Sequence, residues 1–192
     1  MNGSGEFDTV YDLHKADIFR FVFHLTGNRT EAEDLFQETW LRVVRHGPLR
    51  LGGQNLKPWL LKIVLNLHRD TLRRKRVRRM FLLRQYHSEQ PDYSRPDGYA
   101  SSLTEPAQVA EQAWLQRDIN KAVAGLPEKQ RRVFLLSELE GMRQKEIAGT
   151  MAIPVGTVKS LLHRAVKRLQ RELADYNPKG EKIKCDAKIL SV

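Results

Sequence analysis

The stretch that decides the fold of this chain is Arg143 to Leu173, RQKEIAGTMAIPVGTVKSLLHRAVKRLQREL. Its first part has one apolar face at helical spacing, made of Ile147, Ala148 and Met151. Pro154 then disfavours helical geometry in the residue before it and can itself begin a new helix. The pattern predicts a helix, a tight turn and a second helix that starts near Val155.

The second helix is predicted to have an apolar face and a basic face. The inward positions are Val155, Val158, Leu162, Ala165, Val166 and Leu169. The opposite face carries Gly156, Ser160, His163, Arg164, Lys167 and Arg171, with Lys159 at the border. A lone basic helix with a solvated face would show the same pattern. The short turn and the preceding helix favour a helix-turn-helix, whose second helix enters the major groove of DNA.

The overall charge agrees with an anionic partner. The chain has 192 residues, a formal net charge of +10 and a pI near 9.9. This charge favours nucleic acid first and an acidic membrane surface second. The length suits one or two small helical domains.

Reactive side chains are sparse. Cys185 is the only cysteine, which excludes an internal disulfide and a cysteine-based metal cluster. The six histidines are scattered, and the acidic residues do not form a paired-carboxylate pattern. These residues argue against a metal site and against a nucleic-acid-processing enzyme. The absence of an apolar span and of a signal-peptide pattern predicts a cytoplasmic protein.

A linker divides the chain. Residues 85–105 are rich in proline, serine, glycine and aspartate and have no helical or alternating periodicity. We predict an all-α fold with two small helical domains, residues 1–84 and 106–176, and an unassigned basic tail at residues 177–192. A flexible linker would let the two domains sample many separations.

The first domain contains a predicted helix with an exposed face of mixed character. Thr30 and Glu33 have the spacing of a capping box, which would start this helix. One face then carries Asp34, Gln37, Glu38 and Leu41. An exposed leucine among acids and amides fits a protein-docking face, although an ordinary solvated helix fits these residues equally well.

The next predicted helix begins near Pro58 and has a row of cations. Its basic face is made of Lys62, Asn66, Arg69, Arg73 and Arg76. Cations can neutralise phosphates, and an asparagine can read a base edge. Asn66 could also be an ordinary helix residue that bonds nearby backbone.

Three blocks of this sequence resemble the extracytoplasmic-function sigma factors of bacterial RNA polymerase. The blocks are AEDLFQETWLRV (Ala32 to Val43), WLLKIVLNLHRDTLRR (Trp59 to Arg74) and LPEKQRRVFLL with EIAGTMAIPVGTVKSLLHRAVKRL (Leu126 to Leu169). Three blocks in this order, with a linker between them, are specific, whereas a single helix-turn-helix is not. The resemblance implies an initiation factor that binds core polymerase and directs it to promoters. It also implies no cofactor, no small-molecule substrate and no enzymatic activity.

The resemblance also implies roles for individual residues. Asp34, Gln37, Glu38 and Leu41 would dock on the coiled coil of the largest polymerase subunit, and the flap would be a second polymerase contact. Asn66 and Asp70 would read and help open the minus-ten element, next to a pocket formed by residues 46–55, while Lys62, Arg69, Arg73 and Arg76 would bind its backbone. Lys159, Ser160 and His163 would face the minus-thirty-five element, with Arg164 and Lys167 on phosphates. An anti-sigma factor is a further expected partner.

The chain departs from the family at several positions. Leu161 replaces the arginine that commonly follows the serine of the recognition helix. Ala152 stands where the turn usually has glycine, and a positive φ there would cost about 1 kcal/mol. The glycine-rich loop Pro48 to Gly53 also differs from the family pattern, which bears on the minus-ten base preference.

One alternative stays open on the residues. A dimeric helix-turn-helix regulator would also read operator DNA with the second domain, and its first domain would act as a sensor. Such a regulator would bind duplex DNA alone and would need no polymerase.

Overall fold

The computed structural model describes residues 3–46, 56–85 and 107–174, which form α-helices and no strand. The helices are α1 (Gly3–Thr26), α2 (Arg29–His46), α3 (Lys57–Gln85), α4 (Ala107–Ala124), α5 (Glu128–Glu138), α6 (Gln144–Met151) and α7 (Val155–Glu172). The all-α prediction is confirmed within these residues.

Helices α1 to α3 bury one apolar face each. α2 packs against both α1 and α3. The buried centre of this group includes Ile18, Phe21, Leu25, Leu60 and Val64, all completely inaccessible to solvent. Each such side chain contributes roughly 1.5–3 kcal/mol of burial free energy. An aromatic cluster of Phe7, Tyr11, Phe36 and Trp40 extends this core between α1 and α2.

The start of α2 differs from the predicted capping box. Gly27 has a φ of +71°, which ends α1 in the left-handed region that glycine adopts readily. The side-chain oxygen of Asn28 then accepts a hydrogen bond from the Glu31 amide at 3.0 Å. Asn28 is therefore the residue that caps the helix, and Thr30 already lies inside it.

Helices α5 to α7 form the predicted helix-turn-helix and its support. α7 packs on both α5 and α6, and its inward residues Val158, Ala165 and Leu169 are buried. At the turn, Ala152 has φ 53° and ψ 49° and closes α6 in the left-handed conformation. Pro154 precedes the first helical residue of α7, Val155, as the sequence predicts.

The two groups of helices are in contact, which the sequence did not predict. α1 packs against α4 and α5, and α3 packs against α6. The buried apolar side chains of both groups belong to one continuous cluster. Because α3 contacts both α2 and α6, it buries Leu61 and Leu65 as well as Leu60. In this structure the domains do not lie apart, as independently moving domains would.

Several predictions fall outside the described residues. These are the pocket loop between residues 46 and 55, most of the linker at residues 85–105, and the tail at residues 177–192 with Cys185.

Candidate nucleic-acid and polymerase interface

The exposed face of α2 contains every residue predicted to dock on polymerase. Asp34, Gln37, Glu38 and Leu41 are all exposed, and Leu41 shows 48% of its surface to solvent. Val44, one turn further along, is 57% exposed and was missed by the sequence analysis. Its spacing of three residues from Leu41 is the signal that would have identified it.

The acids of this face are available to a partner. Within the described residues, Asp34 and Glu38 form no ion pair, whereas Glu33 pairs with Arg29 at 2.9 Å and Glu31 pairs with Lys75 at 2.6 Å. An apolar centre of Leu41 and Val44 beside free carboxylates is suited to a partner that presents both apolar and basic groups.

Helix α3 carries the predicted cationic row on its surface. Lys62, Asn66, Arg69, Arg73 and Arg76 are all exposed, and Asp70 is half-buried. Among the described residues, the Asn66 side chain has no hydrogen-bond partner, which argues against a role in bonding nearby backbone. Its amide can therefore both donate to and accept from a base.

Asp70 lies beside a cation of the same row. Its carboxylate is 3.8 Å from the Arg69 side chain, and both groups are about half or more exposed. At this exposure the pair contributes little to stability. The pair can separate when a nucleic acid approaches.

The last turns of α3 project beyond the helical core. Residues 73–82 are all exposed, and a run of cations interrupted only by Val77 is followed there by Met80, Phe81 and Leu82. Met80 and Phe81 show 57% and 67% of their surfaces. The sequence analysis identified the cations of this segment but not its apolar residues.

The outer face of α7 contains the predicted recognition residues. Lys159, Ser160, His163, Arg164 and Lys167 are all exposed. The Ser160 hydroxyl donates to the Thr157 carbonyl at 3.0 Å, so its oxygen is left to accept from a base or phosphate. Lys167 and Arg164 have no acidic partner among the described residues, while Arg168 pairs with Glu172 at 3.2 Å.

Leu161 has a structural role that explains its departure from the family. It is half-buried and packs against the hydrophobic core instead of facing outward with Ser160. An arginine here would have to carry its charge past that core to reach a phosphate. This position therefore contributes packing and no charge.

The clearest pKa shifts lie between the two groups of helices and not on the three exposed faces. Burial, followed by the nearby Arg132, lowers the pKa of His68 to about 4. Burial raises the pKa of the Glu140 carboxyl, although Lys57 opposes this effect. The shifted pKa values of these groups reflect packing between helices.

Two kinds of feature are absent from the described residues, a metal-binding cluster and a membrane-spanning helix. No group of three or more His, Cys, Asp or Glu side chains there could hold a metal ion. No helix in that part of the chain is long and apolar enough to cross a membrane.

Comparisons with known proteins agree with this geometry. Residues 10–78 match the family model of Sigma-70 region 2, and residues 116–169 match that of Sigma-70 region 4. The first match contains the exposed faces of α2 and α3, and the second contains the helix-turn-helix.

Curated relatives match most of the chain. The ECF RNA polymerase sigma factor SigE of Mycolicibacterium smegmatis is 32% identical over 88% of this chain, which spans 62% of the length of SigE. The sigma factor SigL of Mycobacterium tuberculosis H37Rv is 32% identical over 86% of this chain and 88% of its own. SigW of Bacillus subtilis is 28% identical over 88% of this chain and 89% of its own.

Solved structures show the same fold. The sigma factor RpoE of Bartonella quintana, crystallised with the anti-sigma factor NepR, aligns with a TM-score of 0.64 and 26% identity over 87% of this chain and 96% of its own. CnrH, in complex with the cytosolic domain of CnrY, aligns with a TM-score of 0.56 and 19% identity over 89% of this chain and 88% of its own. With matches to both sigma regions and full-length relatives above 30% identity, this chain belongs to the family of ECF RNA polymerase sigma factors.

Proposed function

We propose that this protein is a transcription initiation factor that binds core RNA polymerase and directs it to specific promoters. The observation that carries the proposal is the presence of three separate exposed faces, on α2, α3 and α7, in a chain of the sigma family. The α2 face has the chemistry of a protein partner, and the α3 and α7 faces have that of nucleic acid.

The α2 face docks on core polymerase. Asp34, Gln37, Glu38 and Leu41 bind the coiled coil of the largest subunit, and Val44 extends the apolar centre of this contact. Its support is the exposure of Leu41 and Val44 beside carboxylates that lack a partner within the described residues. The flap of the polymerase is a second contact, made by the second domain.

The α3 face recognises the minus-ten element. Lys62, Arg69, Arg73 and Arg76 neutralise phosphates, and Asn66 and Asp70 read bases of the melted non-template strand. Extracting a base from the stack costs a few kcal/mol, which the cationic row offsets. The free amide of Asn66 supports this role.

The α7 face reads the minus-thirty-five element in the major groove. Lys159, Ser160 and His163 contact base edges, and Arg164 and Lys167 contact phosphates. These residues are exposed along one side of α7. The function requires no cofactor and no small-molecule substrate, because binding energy alone selects the promoter.

An anti-sigma factor is a further partner of this protein. The solved structures of RpoE and CnrH each contain a second protein, and RpoE is bound to an anti-sigma factor. Such a partner would restrain this protein until a signal releases it.

The function is tested by reconstitution with bacterial core polymerase. The holoenzyme would select a promoter from a randomised DNA pool and then transcribe from it. Gln37→Ala with Leu41→Ala should weaken core binding by at least tenfold and leave the helical circular dichroism signal unchanged. Leu13→Ala is the control, since Leu13 is a 72% exposed leucine on a different helix, α1.

Binding to DNA alone separates this function from that of a dimeric operator-binding regulator. A sigma factor is expected to bind promoter DNA weakly until it joins the polymerase. Tight, symmetric binding of duplex DNA by the free protein, with no affinity for core polymerase, would contradict the proposal.

A further inference from the structure

Two glycines of the second domain lie inside helices where the chain itself does not require glycine. Gly149 is in α6, and Gly156 is in the first turn of α7. Neither has a positive φ, whereas Gly27 and Gly141 do. Both are exposed, and a Cβ atom added to either would lie in open space. Neither backbone conformation nor packing therefore explains these two residues.

Glycine is a costly residue at such positions. Its backbone loses more conformational freedom on folding than that of any other residue, and only proline is less favourable inside a helix. Alanine would fit at both positions and would stabilise the helix. Close approach of a ligand to the backbone is a use of glycine that can offset this cost. The location of each glycine decides whether a ligand can reach it.

Gly156 lies on the side of α7 that is assigned to DNA. It precedes Ser160, His163 and Lys167 by four, seven and eleven residues. At 3.6 residues per turn, these four positions fall within about 40° of one another around the helix axis. Gly156 is also in the first turn, the part of a recognition helix that enters the groove. Gly149 belongs to the preceding helix and is not part of this line.

The backbone around Gly156 is held by hydrogen bonds of the chain itself. The amides of Thr157 and Val158 both donate to the Pro154 carbonyl, at 2.9 and 3.1 Å. One turn further along, the Ser160 hydroxyl donates to the Thr157 carbonyl at 3.0 Å. These bonds fix the first turn of α7 while the outer side of Gly156 stays open. The position of its Cα is therefore set before DNA binds.

We propose that Gly156 is a specificity-determining residue of α7, because its lack of a side chain sets how deeply the helix enters the major groove at the minus-thirty-five element. This inference rests on the proposed function and adds a residue to it. The Cα of Gly156 contacts the DNA surface at van der Waals separation. A methyl group on this Cα would hold the surface back by roughly 1–2 Å.

The depth of the helix in the groove decides whether base contacts form. Hydrogen bonds to base edges need donor–acceptor distances of about 2.7–3.2 Å. A displacement of roughly 1–2 Å at the start of α7 therefore breaks the bonds assigned to Lys159 and Ser160. The attraction between Lys167 and a phosphate falls more slowly with distance. An added methyl group should thus weaken recognition of the cognate element more than general binding to DNA.

Gly156→Ala tests the proposal, with Gly149→Ala as the matched control. Both changes add one methyl group in open space on a helix, so both should raise the midpoint of thermal unfolding by about 1–3 °C. Gly156→Ala should nevertheless lower the affinity of the holoenzyme for its selected promoter by about tenfold. Its affinity for the same promoter with a scrambled minus-thirty-five element should change much less. Gly149→Ala should leave both affinities unchanged.

A longer side chain separates a steric effect from an effect of helix stability. Leucine and alanine have similar helix propensities. Gly156→Leu should therefore stabilise the protein about as much as Gly156→Ala does but lose more affinity for the selected promoter. A loss that does not grow with the size of the side chain would overturn the proposal, because it would reflect the helix backbone and not the space beside Gly156.

The remaining outcomes separate this inference from the function on which it rests. Unchanged promoter affinity of Gly156→Ala, or an equal loss on the cognate and scrambled elements, would overturn the role of Gly156. A lower unfolding temperature for Gly156→Ala would also contradict it, since the chain itself would then require glycine there. If the unmodified holoenzyme selects no promoter, the proposed function is wrong and this inference falls with it.

Discussion

Nη2 of Arg132 lies 3.2 Å from Nδ1 of His68, and this contact joins a helix of one domain to a helix of the other. Arg132 is a permanent donor, so Nδ1 must accept, and this requires a neutral imidazole. Arg131 and Lys75 add further positive charge near the ring. Burial and these cations lower the pKa of His68 to about 4, so the ring is neutral at pH 7.

The His68 contact predicts a loss of stability in mild acid. Below pH 6.5 the ring takes up a proton in the unfolded chain, but in the folded chain it does so only near pH 4. The free energy of unfolding should therefore fall between pH 6.5 and 4, by about 3 kcal/mol in total. His68→Gln keeps a neutral acceptor and should lack this part of the pH dependence.

Denaturant unfolding of both proteins across this pH range measures the difference. The raised pKa of Glu140, which burial causes, acts in the opposite direction, but it is common to both proteins and cancels in the comparison. Parallel pH profiles would show that His68 does not titrate differently in the folded state.

Removing the cation of the Lys57–Glu140 pair should destabilise the folded protein, and a second substitution at Glu140 should restore most of that stability. Lys57→Met leaves the buried Glu140 without its cation and should cost about 2 kcal/mol, less than the 3–5 kcal/mol of wholly buried pairs because Lys57 is 27% exposed. Adding Glu140→Gln should recover most of the loss. A double-mutant cycle by chemical unfolding measures the coupling, and additive losses would mean that the pair does not interact.

Local patterns in the sequence predicted most of the secondary structure and the surfaces. The apolar spacing along α7 and the proline at its start were sufficient to predict the helix-turn-helix, because a 3.6-residue period directly reflects one buried face. The rows on α2 and α3 were predicted as exposed for the same reason, and they are exposed. The assignment of these rows to polymerase and DNA remains a prediction.

The contact between the domains could not be predicted from such patterns. Arg131 and Glu140 look like ordinary surface charges in the sequence, and only tertiary packing buries the Glu140 carboxylate or directs Arg131 to the Leu25 carbonyl. Periodicity shows that a helix has an apolar face but not which distant helix covers it. The sequence analysis did not identify His68 for the same reason. Its apolar neighbours on α3 were enough to account for the buried face of that helix.

The turn of the helix-turn-helix predicts a stabilising substitution. Ala152 has a φ of 53°, which costs alanine about 1 kcal/mol relative to glycine. Ala152→Gly should therefore raise the free energy of unfolding by up to about 1 kcal/mol. The reverse change, Gly149→Ala, should also stabilise, because Gly149 is inside α6 with open space around it. Thermal unfolding of both variants tests whether the backbone conformation at each position decides if the substitution raises or lowers the free energy of unfolding.

For the minus-ten face, we predict that Asn66→Ala impairs promoter melting more than polymerase docking. Its exposed amide is assigned to a base and not to protein. Permanganate reactivity of the melted strand should fall by at least tenfold, while affinity for core polymerase is retained. Thr71→Ala, on another exposed face of α3, is the control. Loss of core binding with normal melting would move Asn66 to the polymerase interface.

Substitutions in the recognition helix α7 should weaken DNA binding in two different ways. Lys159 lies in the first turns of α7, the part that enters the groove, whereas Lys167 lies two turns further along the same exposed side. Because base contacts specify and phosphate contacts position, Lys159→Ala should cost about 1–3 kcal/mol at the cognate minus-thirty-five element and much less at a scrambled one. Lys167→Ala should weaken both equally and reduce the salt dependence by about one phosphate. Binding of the holoenzyme to both duplexes across a salt series measures this, with Arg168→Ala, whose guanidinium pairs with Glu172, as the control. Equal losses on both duplexes for Lys159→Ala would assign Lys159 to phosphate and leave Ser160 and His163 as the residues that read the sequence.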